Sequence, residues 1–245
     1  MSLDAQKTRF RSLDAWFRSA QGVEVGHFFT SELNHLKDLL RGEVLLQLGG
    51  ELSWLHDLHF NHKWCAAPYL NQSSTVITAF NQLPLERNSV DCIVAPLVME
   101  AFTKSDSPID EIDRVLKPMG HVIFFGVTPL SLWGFAIQLR RLSCYGHLAA
   151  KPRSLLLLKR AFLHRGYVQC HLSTFYYIPP LSSKKWMDKL NVLNELGKII
   201  SPAPAGFYCL VLQKYQAIQP NFILNPLNNT AWNGNGSLQP AARAF

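Results

Sequence analysis

Charge is scarce in this 245-residue chain: 17% of the residues are charged and 48% are hydrophobic. That excludes a self-repelling disordered polymer and leaves a globular chain able to bury one large core. Cysteine is also sparse. Cys65, Cys92, Cys144, Cys170 and Cys209 are odd in number and widely scattered, which excludes a disulfide framework and reads as reduced core residues. Apolar runs such as Pro129 to Ile137 are too short to span a bilayer, so no transmembrane segment is expected. The start lacks a basic-then-apolar signal pattern, so the expected compartment is cytoplasmic. Internal repeats are absent. Residues 216–245 lack nearly all charge, with Arg243 the one ionised side chain, and are rich in Asn, Pro, Gly and Ala. A poorly ordered tail is expected there, behind a single domain over 1–215.

What charge there is leans positive. The net charge is +7 and the pI about 9.2, which favours contact with nucleic acid or an anionic membrane surface. Arg140, Arg141, Lys151, Arg153, Lys159, Arg160 and Arg165 fall within one stretch.

The most informative segment is Leu83 to Pro129, which reads as strand, helix, strand. Asp91 precedes the run Cys92 to Ala95, whose continuous apolarity suits a strand covered on both faces. Ser107 is the expected N-cap of the helix, Pro108 its first residue and Asp110 the capping-box acid. Ile109, Ile112 and Leu116 share a face, and Lys117, Pro118 and Gly120 stop the helix before the strand Val122 to Phe125.

Upstream, residues 9–20 place Phe10, Leu13 and Phe17 on one helical face beside Trp16, and a second helix is expected over Thr30 to Leu40 with Gly42 as its stop. Val44 to Leu48 is the first strand, ending in the turn Gly49, Gly50, Glu51. His56, Asp57, His59 and His62 follow at helical spacing; without a completing ligand cluster they are read as no metal site. Cys65 to Ala67 and Thr75 to Ala79 are the second and third strands. Downstream, Leu130, Trp133, Ile137 and Arg141 form an apolar helical face edged with charge in an insertion over 128–150, which reads as a lid, a lipid-touching patch or a plain packing helix. A helix over Arg153 to Arg165, a strand over Val168 to Tyr177, a helix over Ser183 to Leu196 and a strand over Phe207 to Gln213 complete the domain.

"LPLERNSVDCIVAPLVMEAF" followed by "EIDRVLKPMGHVIFFG" resembles the second half of the class I S-adenosylmethionine-dependent methyltransferase domain of the type 11 group. With Trp16 and Phe17, the turn Gly126 to Pro129, and Pro179 to Leu181, the chain is further similar to a small proteobacterial subfamily, so a bacterial source is expected. The resemblance covers about residues 13–214. It implies an α/β, doubly wound, mostly parallel seven-stranded Rossmann-like sheet in the order 3-2-1-4-5-7-6 with an antiparallel last strand.

The cofactor so implied is S-adenosylmethionine, with S-adenosylhomocysteine as product. Its contacts would come from Gln47, Gly49, Gly50 and Glu51 in the glycine loop, Pro68 after the second strand, Ala79, Phe80 and Asn81 at the adenine, and Pro96 and Leu97 after the fourth strand. The family's pattern is altered here. Gln47 stands where an acid is usual, Glu51 and Ser53 replace two glycines, and Pro68 with Tyr69 replaces the ribose-gripping acid. Candidate acid or base groups are Glu100, Tyr145 and His147; acceptor-side candidates are Trp16, Thr128, Trp133, Arg140 and Arg141. The expected activity is methyl transfer to a small-molecule or lipid-like acceptor, with peripheral membrane contact as a partner surface. Two alternatives stand beside it: RNA as acceptor, and a non-catalytic module that kept the fold for binding or regulation after its cofactor loop changed.

Overall fold

The computed structural model describes residues 1–50, 52–103, 106–139, 144–145, 152–180 and 204–215. The expected helix over 183–196, the tail from 216 and most of the second half of the insertion lie outside these. Two helices come first, α1 (Leu3–Phe17) and α2 (Ala20–His35), then β1 (Arg41–Leu48), β2 (His59–Ala67), the short β3 (Val76–Ile77) and β4 (Val90–Pro96). Next come α3 (Ile109–Val115), β5 (Leu116–Val127), α4 (Leu132–Gln138), α5 (Leu155–Leu163), β6 (Tyr167–Phe175) and β7 (Phe207–Lys214). The seven strands form one sheet in the order β3-β2-β1-β4-β5-β7-β6, as expected. The first five strands run parallel, and β7 pairs antiparallel with both β5 and β6.

Consecutive residues of β5 show how the sheet is covered on both faces. Phe125 stacks on Phe29 of α2 at 4.3 Å between ring centroids, while Phe124 meets Phe162 of α5 at 5.1 Å. Neighbouring side chains of a strand point to opposite faces, so α2 and α5 lie on opposite sides. The central strands β4 and β5 are buried on both faces, which is why they read as unbroken apolar runs.

The residues that carry the sequence resemblance turn out to be braces. Asp91 accepts hydrogen bonds from the Glu43 and Val44 amides of β1 and pairs with Lys117 at 2.9 Å, joining the starts of β1, β4 and β5. Burial works against its charge, but the Lys117 hydrogen bond and the two amides outweigh it and hold the carboxyl below its ordinary value. A Cβ on Gly42 would lie 2.4 Å from the Asp91 Cβ, so only glycine lets β1 come this close. Arg114 donates to the carbonyls of Leu83 and Leu85 and pairs with Glu111 at 2.8 Å. Glu111 in turn accepts from the Leu83 amide.

Several local expectations are corrected. Helix α3 begins at Ile109 with Pro108 at the cap position, and Ser107 Oγ accepts no hydrogen bond among the described residues. Asp110 pairs instead with Arg165 of the loop after α5, at 2.6 Å. The helix stops at Val115 and the chain enters β5 at Leu116, so Lys117, Pro118 and Gly120 belong to a strand. Helix α2 starts ten residues earlier than expected, capped by Ser19, whose side chain accepts from the Gly22 amide; Gly42 lies in β1. His59 and His62 fall on β2, not on a helical turn with His56 and Asp57. Leu130 is 73% exposed and is not part of the buried face of α4, which consists of Trp133, Gly134 and Ile137.

Replacing Asp91 with alanine strands the Lys117 ammonium and two amides at once. It should lower the unfolding free energy by about 2–3 kcal/mol, measured by urea denaturation; a loss under about 0.5 kcal/mol would show that the brace is redundant. Because the folded pKa is depressed, this contribution is present above the ordinary carboxylate pKa and disappears as pH falls through the folded value.

Candidate active site

In a parallel sheet with helices on both faces, ligands sit outside the carboxyl ends of the strands. At the end of β1 the chain turns through Gly49 and Gly50, both left-handed at φ +71° and +74°. The Gly49 amide donates to the Ala66 carbonyl at 2.8 Å, tying the turn to β2. Gln47 is fully buried and its Nε2 donates to the Gly49 carbonyl at 2.7 Å, so it braces the turn. A Cβ on Gly50 would meet the Trp54 ring at 2.6 Å. Glu51 lies outside the described residues.

Helix α1 crosses directly over this turn and takes up the polar edges of the cleft. Its Gln6 is completely buried. The side-chain Oε1 accepts from the Phe80 amide at 3.0 Å, and Nε2 donates to Asn81 Oδ1 at 2.8 Å. One turn on, the Phe10 ring lies edge-on to Phe80 at 4.7 Å, and a Cβ on Gly49 would touch it at 3.5 Å. One turn further, Asp14 accepts from Tyr69 Oη and from Asn71 Nδ2, and interacts with the Gly50 amide. Burial raises the Asp14 pKa, against the lowering effect of those hydrogen bonds.

Pro68, buried at the end of β2, offers no ribose acid. A carboxylate does reach the neighbouring Tyr69, from Asp14, fifty-odd residues earlier in the chain. Sequence reasoning grouped Phe10, Leu13 and Phe17 but passed over Gln6 and Asp14. The available signal was two polar residues one turn either side of Phe10, on a face that is otherwise apolar.

After β4, Pro96 and Leu97 are buried. Leu97 is left-handed at φ +54°, its amide donates to Phe125 O, and its carbonyl accepts from Tyr145 Oη at 2.6 Å. Tyr145 is buried, and burial followed by the nearby Glu100 charge drives its pKa far up, so it stays protonated and holds the backbone. Glu100 is fully buried, its Oε1 accepts from the Val127 amide at 2.9 Å, and Oε2 accepts no hydrogen bond among the described residues. Burial, opposed by the backbone bonds and by Arg153, lifts its pKa from 4.5 to about 7.

Of the residues expected on the acceptor side, Trp16 and Trp133 meet edge to face at 6.0 Å, and Trp133 Nε1 donates to Ile178 O. Thr128 Oγ1, Trp16 Nε1 and Tyr208 Oη are buried with no hydrogen-bond partner among the described residues. Arg140, Arg141 and His147 lie outside those residues. Arg153 points inward, donating to the carbonyls of Met99 and Phe102.

The floor of the cleft carries groups of the kind that an adenosyl ligand would use. Two left-handed glycines let a ligand approach the backbone, and the Phe80 amide with Asn81 offers a donor beside an acceptor. With α1 seated, however, the space left beside Asp14, Gly50 and Asn71 is about 180 Å³, below the roughly 300 Å³ where drug-sized ligand sites begin. A larger cavity of about 400 Å³ lies elsewhere, between α3 and α5, lined by Ile109, Leu157 and Leu158.

Comparison with known proteins agrees with this geometry. Residues 55–124 match the family described as "Methyltransferase domain". No curated protein matches the chain. Among solved structures, a SAM-dependent methyltransferase of Thermotoga maritima superimposes with a TM-score of 0.59 at 16% identity, over 87% of this chain and 100% of that one. One from Archaeoglobus fulgidus gives 0.53 at 11% identity, over 77% and 94%. A geranyl diphosphate methyltransferase in complex with SAM gives 0.52 at 13% identity, over 76% and 85%. The matched domain runs from before β2 into β5, and the strand order around it is that of the class I S-adenosylmethionine-dependent methyltransferase fold.

Proposed function

We propose that the protein transfers a methyl group from S-adenosylmethionine to a small-molecule or lipid-like acceptor. The observation that carries this reading is a methyltransferase-domain match over residues 55–124 in a sheet whose carboxyl ends present two left-handed glycines, Gly49 and Gly50, and the donor and acceptor of Phe80 and Asn81. When bound, the cofactor supplies an activated methyl on a sulfonium centre. The chain's part is to orient the acceptor and keep water out.

Its residues suit that part. The Phe80 amide and Asn81 Oδ1 would hold the adenine edge, and Gly49 and Gly50 leave room for the rest. Glu100, with Oε2 free of other bonds among the described residues, would take the acceptor's proton. Trp16 and Trp133 meet edge to face and would form an aromatic wall for the acceptor. Around α4, Leu130, Leu132, Phe135 and Leu139 are all exposed, an apolar surface suited to a lipid-like acceptor or to peripheral contact with a membrane. Among the described residues no helix is long and apolar enough to cross a membrane.

A second reading, the non-catalytic module, is favoured by one observation: side chains of α1 already satisfy the polar edges of the cleft. RNA as acceptor has less support, because the Arg153 guanidinium is engaged inside the protein and is withdrawn from any basic strip.

Saturating S-adenosylmethionine, at a hundred times its Kd, should raise the unfolding free energy by about 2.7 kcal/mol in thermal melts. No shift, with no heat of binding by calorimetry, would reject the reading. Labelled methyl should partition into a lipid extract in preference to added RNA; label in the RNA alone would reassign the acceptor.

The raised Glu100 pKa has its own signature. A proton held more tightly in the folded state contributes stability that is complete below about 4.5 and lost as pH rises through about 7. Replacing Glu100 with glutamine should flatten the pH dependence of the melting temperature across that window. If the residue is the base, it should also lower kcat about a hundredfold with KM little changed. An unchanged pH slope would place the titration elsewhere.

A further inference from the structure

A helix that served only to cover the strand ends would be apolar along its whole inner face. Helix α1 is not. Its buried face carries Gln6, Phe10, Leu13, Asp14 and Phe17, and the two polar members stand one turn either side of Phe10. Burying a carboxamide and a carboxylate is unfavourable unless each finds partners. Both find them on the surface described above as the floor for an adenosyl group.

The match is chemical as well as spatial. The pairing edge of adenine presents a ring-nitrogen acceptor beside an exocyclic amine donor. A primary carboxamide presents the same pair, an oxygen acceptor beside an NH₂ donor. Gln6 uses both: Oε1 takes the Phe80 amide at 3.0 Å and Nε2 gives to Asn81 Oδ1 at 2.8 Å. Its third contact, to the Met1 carbonyl, is long at 3.4 Å and lies on the helix's own side. Phe10 fills the space between Gly49 and Phe80. Asp14 reaches the Gly50 amide and the Tyr69 hydroxyl, where the more polar end of such a ligand would lie. From Gln6 to Asp14 is eight residues, about 12 Å along a helix axis, comparable with the length of an adenosyl group.

We propose that the first half of α1 is a tethered competitor of the cofactor, in which Gln6 stands in for the adenine edge, Phe10 for the bulk beside it, and Asp14 for the polar groups beyond. The inference rests on the reading of the cleft as an adenosyl site. It goes beyond that reading in making cofactor binding conditional on α1 leaving. The open form is then a minor population, and the apparent affinity for cofactor is weakened by the fraction of molecules that are open. A partner, membrane surface or acceptor that draws α1 away would raise that affinity without touching the cleft itself.

The test compares the wild-type chain with Gln6→Ala, using S-adenosylhomocysteine as the probe in calorimetry. A second measurement, hydrogen exchange on the wild-type chain, needs no variant. Gln6→Ala removes both hydrogen bonds of the mimic and leaves Phe80 and Asn81 in place. It should bind the probe about tenfold more tightly. In the wild type, the probe should speed exchange at the amides of residues 6–14 while slowing it at Phe80. Equal affinity in the two forms, with α1 exchange unchanged or slowed, would overturn the competitor and leave the methyltransferase reading standing. Binding to neither form would overturn both, since Phe80 and Asn81 would then refuse the ligand even with the Gln6 carboxamide gone.

Discussion

One carboxylate aligns the sheet. Asp91 takes two amides from β1 and the ammonium of Lys117 on β5 while itself standing in β4, so three neighbouring strands share a common starting line. In a parallel sheet the register is carried along each strand without correction, and a fixed start therefore fixes where the carboxyl ends emerge. The glycine turn after β1, the left-handed Leu97 after β4 and the Val127 amide at the end of β5 owe their relative placement to that brace. Arg114 does the same for the segment entering β4 by holding the carbonyls of Leu83 and Leu85.

This division of labour explains why the family resemblance is strong where chemistry is absent. The motif residues Asp91, Glu111, Arg114 and Lys117 gather at the amino ends of β4 and β5, away from the ligand side. Their interactions are short in sequence or tied to a fixed strand start, so they leave a compact signature. The carboxyl edge is under no such constraint, and there the usual acid and glycines have given way to Gln47, Pro68 and a helix laid across the opening.

The two-sided burial of the central strands was legible from continuous apolar runs separated by Gly and Pro, and the strand order came from the resemblance to the methyltransferase domain. Boundaries were less so. Helix α2 was placed ten residues late because its opening, Ala20 to Gly26, is poor in apolar spacing and marked mainly by Ser19. Strand β2 was placed late because His59 to Trp64 are exposed or half-buried apart from Phe60 and carry histidines that read equally well on a helix. The cleft itself was only half visible. Gly49, Gly50, Phe80 and Asn81 could be placed by their position after strands, but the groups that meet them come from α1, some 75 residues away in sequence for Gln6 and Asn81. No local pattern announces a contact of that range, and the polar residues responsible are ordinary on any exposed helix.

The acid near the acceptor side has a related origin. Gly126 on β5 stands directly opposite Tyr208 on β7, and the tyrosine ring folds back across the bare glycine, its hydroxyl 2.2 Å from where a Cβ would be. An aromatic laid over a cross-strand glycine shields a stretch of backbone that would otherwise be open. Here it also carries a phenol into the neighbourhood of Glu100, whose charge is felt at Tyr208. The polar chemistry at this end of the sheet is thus indexed by strand pairing and not by a loop. A slip of one residue between β5 and β7 would turn the phenol to the other face of the sheet, so the antiparallel strand that closes the fold also works as the ruler for its interior acid.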